Sequence, residues 1–226
     1  MSIWTATLQA LQRMDDITAT LPETDGIRRF NDLYRAVTQD VYDHRGDYAD
    51  PEFLAKLTDE FVGLYLEAYD AVSKPGAWRP LFAARADGRL ATIQHVLSGM
   101  NAHINRDLAV ALVRTLESLG RTWPSLTSTA HADYIHINDL LRANIDAAQI
   151  RYGNELTAAA DEALGQLDEL VDLWSLTAAR DIAWSNGNVL FHTPSFVRPG
   201  FVAGLDSLTR LSSAVLLVPI PGLCLP

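Results

Sequence analysis

The chain has a single cysteine, Cys224, among its 226 residues. One thiol closes no internal disulfide, so nothing points to an oxidising compartment. Basic charge is scarce as well: 18 Lys and Arg stand against 28 Asp and Glu, a formal net charge of -10. Such a surface repels phosphate backbones and anionic lipid, which argues against nucleic-acid and membrane partners. No apolar run reaches the roughly 18 residues of a spanning helix. The nearest, Ala214 to Leu225, is broken by Pro219 and Pro221. The N-terminus, Met-Ser-Ile-Trp-Thr-Ala, shows no basic segment followed by an apolar one, so no signal peptide is expected and a cytoplasmic protein is the simplest account.

Familiar chemical signatures are missing too. There is no Gly-x-Ser-x-Gly elbow, no Walker loop, no Gly-x-Gly-x-x-Gly, no His-Glu-x-x-His and no cysteine-based zinc motif. A di-iron bundle would need Glu-x-x-His twice, and it never occurs. Asp133-x-x-His136-x-x-Asp139 reads as a solvated face. Asn138-Asp139-x-x-Arg142-x-x-x-Asp146 only loosely echoes the metal-binding motif of helical terpene cyclases, with Arg142 where a magnesium-holding hydroxyl belongs. Neither His95 nor His103 is a strong haem ligand, because one histidine on a helix is more often structural.

What is present is helix. Hydrophobic residues make up 48% of the chain, ample for a core. Apolar residues recur at helical spacing over 3–17 (Trp4, Leu8, Leu11, Met14), 27–41 (Ile27, Phe30, Tyr34, Val37, Val41) and 54–72 (Leu54 to Val72). Asp50 followed by Pro51 is a helix start. Pro75-Gly76 and Asp87-Gly88 mark turns, with Trp78, Leu81 and Phe82 plugging the core. A long helix spans about 90–119 and stops at Gly120. Others cover 131–152, 155–184 and 205–217, and Val189 to Phe191 is the best strand candidate. The expected fold is all-α: one domain over 1–226, an irregular bundle of six to eight helices, with an N-terminal helix and loop over 1–25 and an apolar tail over 218–226.

Three helices bring polar residues to apolar faces. At about 100° per residue, Asp107 lies within about 20° of the centre of the Met100 stripe and His103 within about 60°. The two stand i, i+4, close enough to touch or share a ligand. Asn101 and Asn105 occupy the shoulder of the same helix. Asn138 flanks the stripe of Tyr134, Ile137 and Leu141. Asp181 lies near the middle of the face that Leu167, Leu170, Val171, Trp174 and Ala178 define, with Arg180 and Trp184 at its back edge.

The chain resembles a family of uncharacterised, mainly actinobacterial helical proteins classed as a domain of unknown function. The resemblance is carried by Phe30-Asn-x-Leu-Tyr34, Trp78-Arg-Pro-Leu-Phe82, Gly99-Met-Asn-Ala-His-Ile-Asn-Arg-Asp-Leu108, Ile137-Asn138 with Leu141, and Ala179-Arg-Asp-x-Ala-Trp184. It implies one helical domain of this length and makes Asn101, His103, Asn105, Asp107, Asn138, Arg180, Asp181 and Trp184 signature positions. It carries over no activity.

The first functional expectation is an enzyme or enzyme-like protein acting on a small, partly apolar molecule. His103, Asp107 and Asp181 would be its catalytic acid/base groups or the ligands of a divalent metal. Asn101, Asn105, Asn138, Arg180 and Trp184 would contact substrate. The alternative is a non-catalytic binding or scaffold protein, a candidate homo-oligomer, in which Asp107 accepts from a neighbouring Arg or Trp N–H and the polar core only sets helix register.

Overall fold

The computed structural model of the chain describes residues 2–156 and 176–220, the side chains of 145–156 excepted. Among them every regular element is a helix, and there is no strand. In chain order the helices are α1 (Thr5–Thr20), α2 (Gly26–Asp43), α3 (Pro51–Asp70), α4 (Arg79–Ala84), α5 (Thr92–Ala102), α6 (Ala109–Ser118), α7 (Thr129–Leu156), α8 (Leu176–His192) and α9 (Arg198–Leu216). A 3-10 turn, Gly76–Trp78, leads into α4. A π-helical turn, His103–Leu108, joins α5 to α6 as one continuous rod.

Local chemistry sets the boundaries. The Asp25 carboxylate accepts from the backbone N–H of Ile27 at 2.8 Å and so caps α2; Asp50 does the same for α3 through Phe53 N–H at 3.2 Å, with Pro51 in the first turn. Gly120 takes φ +63° just past α6, a left-handed residue where a side chain would be strained.

The α5–α6 rod is the spine. Its first half packs on α2 and α9, its second half on α3 and α8, and the π-turn between them touches α3, α8 and α9. α1 closes over α2 and α3, and α7 lies along α2. Trp78, Tyr65, Phe30, Phe53 and Tyr134 are among the largest fully buried side chains. At roughly 25 cal/mol per Å² of apolar area, each such ring adds a few kcal/mol to folding.

Some expectations need correcting. α8 runs through Gly187 to His192, so Val189 to Phe191 is helical. α9 starts at Arg198 rather than at Leu205, because Pro199 sits in the first turn, where its missing N–H costs nothing. α1 buries Thr7 and leaves Leu8 exposed, since Thr7 donates its hydroxyl to Asp59 on α3. Val72 falls beyond the end of α3 and is fully exposed. Asp133 is buried, not solvated: its carboxylate accepts from the N–H groups of Ala49 and Asp50 at 3.0 and 2.6 Å and holds the entrance to α3. The sequence-read positions Leu167, Leu170, Val171 and Trp174 and the tail beyond 220 lie outside the described residues.

Candidate functional site

The π-turn places His103 and Asp107 together. Nδ1 of His103 lies 3.1 Å from Oδ2 of Asp107, and both side chains are buried. The same oxygen accepts from Nε1–H of Trp78 at 2.9 Å, and the other carboxylate oxygen accepts from Arg106 at 2.6 Å. Asp107 is therefore a buried charge with three donors, the arrangement that makes such burial tolerable. Arg106 also lies 3.4 Å from Asp206 on α9. Asp206 in turn accepts from the backbone N–H of Gly76 and Ala77, both at 3.1 Å. One chain of polar contacts thus runs from the imidazole to the last helix and back to the turn that carries Trp78.

The imidazole sits in an aromatic cage. Phe61 of α3 stacks on it at 3.6 Å between centroids, 5° from parallel, and Tyr34 of α2 meets it edge-on at 4.4 Å. Trp78 and Phe30 stand at 5.9 and 6.0 Å. Burial pushes the His103 pKa below the usual imidazole value, and the Asp107 carboxylate opposes that only in part. At neutral pH the ring is neutral. Asp107 accepts, so Nδ1 carries the proton and Nε2 a lone pair. Nε2 is buried and has no hydrogen-bond partner among the described residues.

That ring borders a cavity of about 70 Å³ between α2, α3 and the π-turn, closed on further sides by α7 and α8. Its wall is mostly apolar: Leu33, Val37, Leu57, Ile104, Ile137 and Leu141. Thr38 and Thr58 border it, but their hydroxyls donate to carbonyls one turn back, Tyr34 and Leu54. At ~10–15 Å³ per water, the space holds about five to seven waters or an organic molecule of similar bulk.

Arg180 of α8 reaches the same cavity. It is buried, its Nη2 donates to the carbonyl of Tyr134 at 2.7 Å, and its guanidinium lies 4.2 Å from the centroid of the Tyr134 ring. The Tyr134 hydroxyl returns a bond to the Arg180 carbonyl at 2.7 Å. Among the described residues no carboxylate pairs with Arg180, and its Nε has no hydrogen-bond partner. Burial pulls its pKa below the ordinary arginine value, with Tyr134 and Asp181 opposing.

The other sequence-predicted positions fare differently. Asp181 is exposed on α8 and does not join His103 and Asp107; α8 turns Arg180 inward instead. The proposed trio of His103, Asp107 and Asp181 as metal ligands loses its third member, and the described residues hold no group of three His, Cys, Asp or Glu placed to bind a metal. Asn101 donates to the Thr209 carbonyl and to the hydroxyls of Ser212 and Ser213, and accepts from Asn105 at 2.8 Å. This pair fastens α9 and stays outside the cavity wall. Asn138 is buried beside that wall, its Oδ1 unpartnered among the described residues. Trp184 packs on Trp123, His131 and Tyr134.

Tyr34 and Phe61 escaped notice as site residues because each belongs to a regular core stripe. A second hollow, about 440 Å³ and shallow, opens near Arg121. Its arginine is already paired with Asp50 and Glu52.

No helix among the described residues is long and apolar enough to cross a membrane. The chain belongs to the family described as "Family of unknown function (DUF5995)", whose model matches residues 8–219. No curated protein and no solved structure gives a significant match.

Proposed function

We propose that this member of the DUF5995 family binds a small, partly apolar molecule in the cavity beside His103, and that the His103–Asp107 pair acts on it as an acid/base dyad. One observation carries the reading. The imidazole has one nitrogen fixed by a buried carboxylate and the other without a partner among the described residues, and it borders a cavity. An unsatisfied buried nitrogen costs about 1–3 kcal/mol, and a group waiting for a ligand accounts for that cost. Asp107 would hold the ring in one tautomer and stabilise the imidazolium formed when Nε2 takes a proton. A cytoplasmic setting fits the single cysteine and the acidic surface.

A second reading has its own support: Asp107 is saturated by Trp78, Arg106 and His103, as a purely structural node would be. The two readings part at His103→Phe. Phenylalanine suits the aromatic cage, and Asp107 keeps two donors. If His103 serves chemistry, removing the unpartnered Nε2 offsets the lost Nδ1–H bond to Asp107, and the variant matches the natural chain within about 1 kcal/mol. If His103 is structural, stability falls by several kcal/mol. The direct test is a thermal-shift screen of small acids, amides, alcohols and esters, repeated on His103→Phe. Binders lost in the variant support the site. Binders should also be incubated in D2O: uptake of deuterium at carbon, abolished in His103→Phe, marks proton abstraction. Hits indifferent to the substitution would sink the proposal.

A further inference from the structure

The charge of Arg180 identifies the ligand class. A buried guanidinium is ordinarily met by a carboxylate, because an unpaired charge in apolar surroundings is costly. Here Arg180 is only 4% exposed, borders the cavity, and has no acidic partner among the described residues. One of its nitrogens bonds a backbone carbonyl, its π-face is covered by Tyr134, and Nε donates to nothing described. The neighbouring acid, Asp181, is exposed on α8. The same cavity is bordered by His103, whose Nε2 has no hydrogen-bond partner among the described residues, and the rest of the wall is mostly aliphatic and aromatic.

From this we infer that the cavity takes a small organic carboxylate, with its anionic end on Arg180 and its short apolar body against Leu33, Val37 and Ile137, beside the His103 ring. The space limits it to about five to seven heavy atoms at ~10–15 Å³ per water-sized group. Planar, delocalised guanidinium suits a carboxylate better than a lysine ammonium would, since it offers paired N–H groups and is less strongly hydrated. This inference rests on the ligand-binding reading of the cavity and sharpens it.

The test follows the His103 imidazole signals of the full chain by NMR, with butanoate, butanamide and butan-1-ol as probes. Butanoate is expected to shift them with an affinity at least ~10-fold above that of its neutral isostere butanamide, a comparison made on the natural chain alone. Arg180→Met is expected to abolish that preference, and Arg180→Lys to retain part of it. Butanamide or butanol binding as well as butanoate overturns the carboxylate assignment and leaves the cavity reading standing. Undiminished butanoate preference in Arg180→Met overturns the role of Arg180. Silence of His103 to all three probes overturns the inference and the cavity reading together.

Discussion

The His103 imidazole lies flat on the Phe61 ring, 3.6 Å between centroids and 5° from parallel. A stacked, desolvated imidazole resists protonation, and this has consequences for stability as well as for chemistry.

The first is a pH dependence. Burial lowers the pKa of His103, and of His95, which is buried and hydrogen-bonded to the Ala84 carbonyl at 3.1 Å. Each is protonated more readily in the unfolded chain, whose value is near 6.5. Below about pH 6.5 the unfolded state binds more protons, so stability falls with pH until each folded-state pKa is passed. The slope approaches ~1.4 kcal/mol per pH unit per histidine. Urea unfolding at pH 7.5 and pH 5.5 should show this loss, and His103→Phe should remove about half of it. An equal slope in the variant would mean that His103 titrates normally.

Trp78→Phe deletes one of the three donors to Asp107 and keeps the ring. The expected cost is ~1.5–3 kcal/mol, the range for a lost hydrogen bond to a charged group. Asp107→Asn should cost more, ~3–5 kcal/mol, because it breaks a buried pair with Arg106 while hardly changing shape. Chemical denaturation measures both, and a Trp78→Phe variant as stable as the natural chain would show that its N–H is dispensable.

Two helical glycines should respond in opposite directions to alanine. A Cβ on Gly99 would lie within contact-breaking distance of the buried Phe30 ring, so Gly99→Ala should destabilise by ~1–3 kcal/mol and crowd the cavity wall. A Cβ on Gly63, inside α3, meets nothing within 4 Å, so Gly63→Ala should stabilise by ~0.5–1 kcal/mol. Both are read from the shift of the urea midpoint.

Asn101→Ala removes the amide that bonds the Thr209 carbonyl and two serine hydroxyls of α9. Amide hydrogen exchange should quicken in α9 while the cavity probes still perturb His103. Loss of probe binding without faster exchange would instead place Asn101 at the ligand.

Much of the fold was legible. Helical stripes of period 3.6, the Asp50-Pro51 start and the Gly120 stop are local signals, and local physics fixed them. The pairing of His103 with Asp107 also followed from spacing. Asp181 was misplaced because the stripe used to orient its helix included Ala178, which is exposed; the inward residues are Ala179, Arg180, Ala183 and Trp184. Neither Trp78 as a donor nor Asp206 as an anchor could be located from spacing, since each acts across more than 25 residues of chain. The π-turn is equally silent in composition: nothing about His103–Leu108 says that its hydrogen bonds skip five residues instead of four.

That wide turn also fixes how this segment can change. A π-turn within an α-helix accommodates one extra residue. Deleting one residue between 103 and 108 would let the rod close up as ordinary α-helix with its flanking faces kept, whereas deleting one within α5 would turn everything beyond it by about 100°. The faces that α6 presents to α3 and α8 would then meet the wrong neighbours. The slack in residue number lies in the π-turn and not in the helices beside it.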